Sequence, residues 1–348
     1  MPTKIILDCD PGIDDALAIA FAHGHPGIEL VGVTTVAGNV GLAKTTANAL
    51  AVCEFVGATG TPVTAGCAGP LLRPVLGARH VHGDSGLGGA VLPAAAAGPA
   101  AGHAVDYIID TAAAAPGEIT LVATGPLTNI ALAVRREPQL ADWVRGFVIM
   151  GGSAGRGNVT PAAEYNVWAD PEAAAAVFRA GWTVTMLGLD VTLRTRVTAP
   201  VLRRMGELGP LGTKLLRPAL EQYRSASGPA PRGAPGAGAP RAGELPGGSG
   251  GAEPSGGPGP APAGPPVHDV CAVAWVAQPD LFGLVPARVQ VELAGQFTAG
   301  MTVTDFDVPG EVRSPNALVA MHLDVDRFWD VALRAFARVA EGIGWLAT

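Results

Sequence analysis

Four aspartates fall within eight residues near the start of the chain, at Asp8, Asp10, Asp14 and Asp15. Like charges this close repel, and each raises the pKa of its neighbours. Capping a helix N-terminus explains one or two of them, because the macrodipole favours acidic side chains there. It does not explain four. A divalent cation does, since it turns mutual repulsion into shared coordination. An all-carboxylate donor set points to Ca2+ or Mg2+ rather than to zinc.

These side chains need a scaffold, and the flanking residues describe one. Ile5-Ile6-Leu7 is an unbroken apolar run, the pattern of a strand buried on both faces. Pro11-Gly12 breaks it, and an alanine- and leucine-rich segment with helical spacing follows from Asp14-Asp15. Strand, turn and helix place the aspartates at the carboxyl end of a strand, where open α/β sheets build ligand sites. The turn lacks G-x-G-x-x-G and carries negative charge, so NAD or FAD is not expected there.

Similar units recur along the chain. Ile28–Val36 reads as a buried strand ending near Asn39, and Glu118–Thr124 as another, followed by Gly125-Pro126 and a helix through Val134. Gly146–Met150 is a third, and Thr183–Leu189 a fourth. Near the C-terminus, Leu284–Leu293 and Met301–Phe306 alternate like antiparallel strands, before a strand at Ala317–Leu323 and an amphipathic closing helix. The expected fold is a single α/β domain over 1–348. Its central sheet is mostly parallel, open, Rossmann-like and flanked by helices, with a small antiparallel region near the C-terminus. Residues 227–266 are mostly Gly, Pro and Ala, which cannot bury enough apolar surface to offset ordering entropy, so a disordered insertion is expected there.

Candidate site residues cluster in the turns. Asn39 ends one strand, and His80 and His82 lie in a glycine-rich stretch that reads as a flexible surface loop. Between Gly155 and Asp170, Glu164 and Asn166 are spaced to grip vicinal hydroxyls, while Asp170-Pro171 reads as a helix cap. His268-Asp269 opens a further helix.

The stretch Asp8-Cys-Asp10-Pro-Gly-Ile-Asp14-Asp15-Ala resembles the D-x-D-P-G-x-D-D signature of the nucleoside hydrolases, the inosine/uridine-preferring, calcium-dependent N-ribohydrolases. The His82-Gly-Asp-Ser-Gly-Leu run, Asn158-Val-Thr-Pro-Ala-Ala-Glu164-Tyr-Asn166 and His268-Asp269-Val-Cys-Ala-Val-Ala resemble further segments of that family. The resemblance spans the chain outside 227–266. It implies hydrolysis of ribonucleosides to base and ribose, with Ca2+ held by Asp10, Asp15, Asp269 and the backbone carbonyl of Thr124. It also implies Asp10 as general base, and Asp14, Asn39, Met150, Asn158, Glu164, Asn166 and Asp269 around the substrate. His268 and His82 would serve the leaving base, with Tyr223 a weaker candidate. No tryptophan follows His82, which points away from a purine-specific branch.

Composition narrows the rest. A net charge of -7 argues against a nucleic-acid partner, and no apolar run is long enough to span a membrane. Four cysteines without C-x-x-C spacing, and no leader before the first strand, suggest a cytoplasmic enzyme in nucleoside catabolism, expected as a homodimer or homotetramer. Two rivals stand beside the hydrolase. One is a nucleoside- or sugar-binding protein whose site the insertion has disabled. The other is a D-x-D phosphatase with Asp8 as nucleophile, which Pro11-Gly12-Ile13 disfavours because that class wants Ser or Thr there.

Overall fold

The structure is a computed structural model that describes residues 1–226, 264–306 and 314–343. One nine-stranded sheet runs through it, ordered β3-β2-β1-β4-β5-β6-β9-β7-β8. Its strands are β1 Thr3–Cys9, β2 Ile28–Thr35, β3 Val63–Ala65, β4 Ile119–Ala123, β5 Gly146–Met150, β6 Val184–Leu187, β7 Phe282–Val291, β8 Thr302–Asp305 and β9 Ala317–Leu323. From β3 to β9 every pairing is parallel, while β7 runs antiparallel to both β9 and β8. The expected parallel sheet with a C-terminal antiparallel region is what the chain adopts.

The apolar runs of the central strands follow from burial on both faces. Ile5, Leu7 and Cys9 of β1 enter one core, with helices Ile13–Gly24, Val270–Ala277 and Val325–Gly342. Ile6 enters the other, with Ile130 and Ala133 of helix Thr128–Arg136 and with Phe147. Alternation along the strand therefore sends Asp8 to the second face. Helix Ile13–Gly24 is buried continuously from Ile13 to Ala22, which its alanines permit because small side chains let neighbours approach on every side.

Strand order reverses between β1 and β4. Chain segments leaving these two neighbours go to opposite sides of the sheet and open a crevice at their carboxyl ends. Asp10 follows β1 there, and Thr124 follows β4.

Two local readings need revision. The segment around His82 is a short helix, Arg79–His82, and His82 is buried because its ring is bonded to the turn after β1. Helix Ala199–Gly206 ends just before Gly209, whose φ is +53°. The chain continues through a π-helix at Leu211–Leu216 into helix Arg217–Ala226. Residues 227–263 of the expected insertion lie outside the described residues. Gly264, Pro265 and Pro266, however, are buried, held through their own backbone groups: Val197 N–H donates to Pro265 O at 2.9 Å, Arg196 Nη1 donates to Gly264 O at 3.2 Å, and Arg196 forms a β-bridge with Pro266. Composition misreads them because backbone pairing needs no apolar side chain. Among the described residues no helix is long and apolar enough to cross a membrane.

Candidate active site

The crevice between β1 and β4 collects carboxylates from two helix starts. Asp14 and Asp15 stand in the first turn of helix Ile13–Gly24, and Asp269 directly precedes helix Val270–Ala277. One oxygen from each of Asp14, Asp15 and Asp269 lies within 4.8 Å of the others, and all three residues are buried. Both helix N-termini favour negative charge at this point.

Asp15 is the most heavily bonded of the group. Its Oδ2 accepts from Gly12 N–H at 2.9 Å and from Asn39 Nδ2 at 3.3 Å, and its Oδ1 accepts from Thr124 Oγ1 at 2.9 Å. Asp10 Oδ2 accepts from Asn39 N–H at 2.6 Å, but its buried Oδ1 has no partner. Burial raises the pKa of Asp10, Asp15 and Asp269 above the ordinary carboxylate range. Burial, with the charge of Asp15, pushes Asp14 up to about 7. Buried carboxyls that repel one another, with one oxygen left unbonded, form a donor set that fits a hard cation. The site can hold a metal.

The β4 side supplies a different kind of contact. The carbonyl of Thr124 accepts from Asn166 Nδ2 at 2.8 Å, which leaves one of its two lone pairs. The same amide group donates to the carbonyl of Met150 at 3.0 Å and approaches its Sδ at 3.5 Å. Glu164 caps helix Tyr165–Ala169. Its carboxylate accepts from Gly152 N–H at 2.8 Å, Asn166 N–H at 2.9 Å and Val167 N–H at 3.2 Å. Burial still raises Glu164 to about 7. Asn158 is exposed, and its Oδ1 accepts from Tyr165 N–H at 3.0 Å, a contact within its own loop.

Two imidazoles face this acid cluster. His82 Nδ1 accepts from Ile13 N–H at 3.0 Å, so the neutral ring carries its proton on Nε2. Burial lowers its pKa to about 3. His268 Nδ1 is bonded to Thr192 Oγ1 at 2.8 Å, and burial lowers its pKa to about 4. The Tyr223 ring centroid lies 5.8 Å from that of His82, and its hydroxyl is pushed up by burial and by Asp14.

Beneath the crevice, on the opposite face of β1, Asp8 Oδ1 accepts from Thr34 Oγ1 at 2.6 Å and from Asn129 Nδ2 at 2.8 Å. Asn129 also accepts from Cys67 N–H at 2.8 Å and donates to Thr35 O at 3.0 Å. This amide stitches β1, β2 and the end of β3 together. Sequence reading passes over Asn129 and Thr192, although Thr192 closes the stretch after β6 just as Asn39 closes the one after β2. A cavity of about 700 Å3 lined by Val197, Leu202, Arg203, Leu220 and Pro265 lies apart from the acid cluster and shares none of its residues.

The fold and this acid-lined crevice define an α/β enzyme with a metal-capable carboxylate site. Residues 5–330 match the family described as inosine-uridine preferring nucleoside hydrolase. The chain is 41% identical over 343 residues to the inosine-uridine preferring nucleoside hydrolase of Crithidia fasciculata, covering 98% of this chain and 99% of that one. It is 43% identical over 334 residues to the non-specific ribonucleoside hydrolase RihC of Salmonella newport, covering 96% and 97%. Among solved structures, a purine-preferring ribonucleoside hydrolase from Gardnerella vaginalis superposes with a TM-score of 0.84 at 31% identity, covering 97% of this chain and 99% of that one. A plant nucleoside hydrolase superposes with a TM-score of 0.83 at 30% identity and the same coverage. The chain belongs to the inosine-uridine preferring nucleoside hydrolase family and is a hydrolase of N-glycosyl compounds.

Proposed function

We propose that this chain hydrolyses the N-glycosidic bond of ribonucleosides to free base and ribose, with Ca2+ at the acid cluster and Asp10 as the general base. The observation that carries the reading is the meeting of Asp14, Asp15 and Asp269 beside the unpartnered Oδ1 of Asp10. Asp10, Asp15, Asp269 and the remaining lone pair of the Thr124 carbonyl are the ligands for the cation. When bound, it supplies positive charge that acidifies water and holds the ribose hydroxyls.

In hydrolysis a water oxygen bonds to the anomeric carbon, the carbon–nitrogen bond breaks, and the bond's electrons leave with the base. Asp10 Oδ1 takes the proton that the water must lose. Burial raises its pKa, and a carboxylate of higher pKa is a stronger base. Asp14, Asn39, Glu164, Asn166 and Asp269 orient the ribose, and Met150 lines the same pocket. Contacts to hydroxyls that do not react supply binding energy that fixes and distorts the sugar. Neutral His82 has its Nε2–H to offer the departing base nitrogen, which must gain a proton or a hydrogen bond, and His268 offers the same when Thr192 Oγ1 donates to its Nδ1.

The test is free ribose released from inosine, uridine and cytidine, with EDTA and after added Ca2+. Ribose that vanishes on chelation and returns with Ca2+ supports class and metal together. Absence of ribose from every nucleoside, in protein that still binds Ca2+, overturns the reading in favour of a binding protein on the same scaffold. Asp10→Ala should abolish turnover, and a near-normal kcat would remove Asp10 from its role. We further propose a homodimer or homotetramer in the cytoplasm, which sedimentation and cell fractionation test.

A further inference from the structure

We propose that Asn48, on helix Leu42–Phe55 and outside the acid cluster, is a positioning residue that locks the His82 segment onto the aspartate turn. Its Nδ2 has two hydrogens and uses both on backbone carbonyls from different parts of the site. It donates to Pro11 O at 3.0 Å, in the turn between Asp10 and Gly12, and to Ser85 O at 2.9 Å, three residues beyond His82.

The surroundings close on this bridge. Gly86 is buried with φ +94°, and a Cβ there would lie 2.7 Å from Asn48 Nδ2 and 3.2 Å from Pro11 O. Only glycine fits both that backbone and that space. The hydrogen bond from Ile13 N–H to His82 Nδ1 joins the same two segments. Asn48 therefore holds the register in which that bond forms. The bond fixes which His82 nitrogen carries the proton, and so whether an N–H can be presented to the substrate. Lys44 Nζ, one turn earlier on the helix, donates to Asp84 O at 2.5 Å and tethers the same loop at an exposed point. A lysine tether of that kind fixes position less tightly than a planar amide bridging two carbonyls.

The inference rests on the reading that His82 serves the substrate, and the experiment separates the two. Asn48→Asp keeps the shape, removes both donor hydrogens and sets a carboxylate against two carbonyl oxygens. Asn48→Ala removes the donors without adding charge, and decides the matter if the first variant does not fold. Both are compared with the unaltered full chain, loaded with Ca2+ and labelled with 15N-histidine. Misplacement of a reacting group by about an ångström can cost on the order of a hundred-fold, so kcat for inosine or uridine should fall at least about ten-fold. The His82 ring nitrogens should move from a fixed Nε2–H signature to that of mixed tautomers. A merely structural role would lower the unfolding midpoint and leave that signature in place.

His82→Ala and the double variant complete the cycle. If Asn48 acts through His82, adding Asn48→Asp to His82→Ala costs no further kcat. An unchanged His82 signature in the folded variants, or a full additional loss in the His82→Ala background, overturns the proposal. If His82→Ala alone keeps full kcat, the role of His82 toward substrate fails, while the ring-nitrogen signature still decides what Asn48 does.

Discussion

Raising the pH from 6.5 to 8 should destabilise the metal-free protein, and loading it with Ca2+ should reduce that effect. Burial lifts Asp8, Asp14 and Glu164 to about 7 in the folded chain, whereas unfolded carboxyls titrate near 4. A folded-state pKa above the unfolded value means that the native state binds more protons. Stability then falls as pH rises through the folded value. His82 and His268, lowered to about 3 and about 4, stay neutral when folded but are half protonated at pH 6.5 when unfolded, so each offsets about 0.4 kcal/mol of the loss as pH rises. A group with a folded pKa near 7 loses about 0.8 kcal/mol of its contribution between pH 6.5 and 8. Three such groups give about 2.4 kcal/mol, or a net loss of about 1.6 kcal/mol once the two histidines are set against it. Burial shifts Asp10, Asp15 and Asp269 in the same direction. The assay is urea unfolding in EDTA at the two pH values, repeated in Ca2+. With the cation bound, Asp10, Asp15 and Asp269 stay ionised when folded and neighbouring Asp14 is held ionised beside them, so the slope should become shallower, with Asp8 and Glu164 carrying what remains. Metal-free protein equally stable at pH 8 and pH 6.5 would refute the argument that these carboxyls are desolvated and uncompensated.

Further outcomes follow from single contacts. Gly12→Ala should lower kcat/KM on the order of a hundred-fold, because its Cβ would sit 2.5 Å from both Asn39 Nδ2 and His82 Nδ1. With Gly12 at φ -98° the backbone accepts alanine, so the urea midpoint should move far less than activity. Glu164→Gln sets an NH2 group among the three backbone N–H groups that the carboxylate now accepts, and should cost about 1–3 kcal/mol of stability by urea unfolding. Asn129→Leu leaves Asp8 Oδ1 with Thr34 alone and orphans Cys67 N–H. A loss of about 1–3 kcal/mol is expected, and an unchanged midpoint would show that this network contributes nothing.

Much of this was legible in the chain itself. Unbroken apolar runs such as Ile5-Ile6-Leu7 mark strands covered on both faces, so the parallel sheet follows from local pattern. The density of aspartates between Asp8 and Asp15 marks a place where a cation would relieve repulsion, although Asp8 itself points to the other face of the sheet. The placement of Asp170 as a helix cap also needed only its neighbour Pro171, and the cap bond to Ala173 N–H is there at 3.0 Å.

What local pattern could not reach depends on distance along the chain. Asp269 joins Asp14 and Asp15 only because strand order reverses at β1 and β4, bringing two helix starts over one crevice. Glycine-rich composition suggested exposure at His82, yet the ring is buried, since a backbone N–H sixty-nine residues away donates to its Nδ1. Asn129, Thr192 and Asn48 carry no signal in their own neighbourhoods. An amide or hydroxyl has the same appearance in sequence whether it meets water or two buried carbonyls. Sequence determined the strands, the caps and the charge that must be neutralised. Tertiary structure decided which of those charges meet, which ring nitrogen keeps its proton, and which distant side chains hold them there.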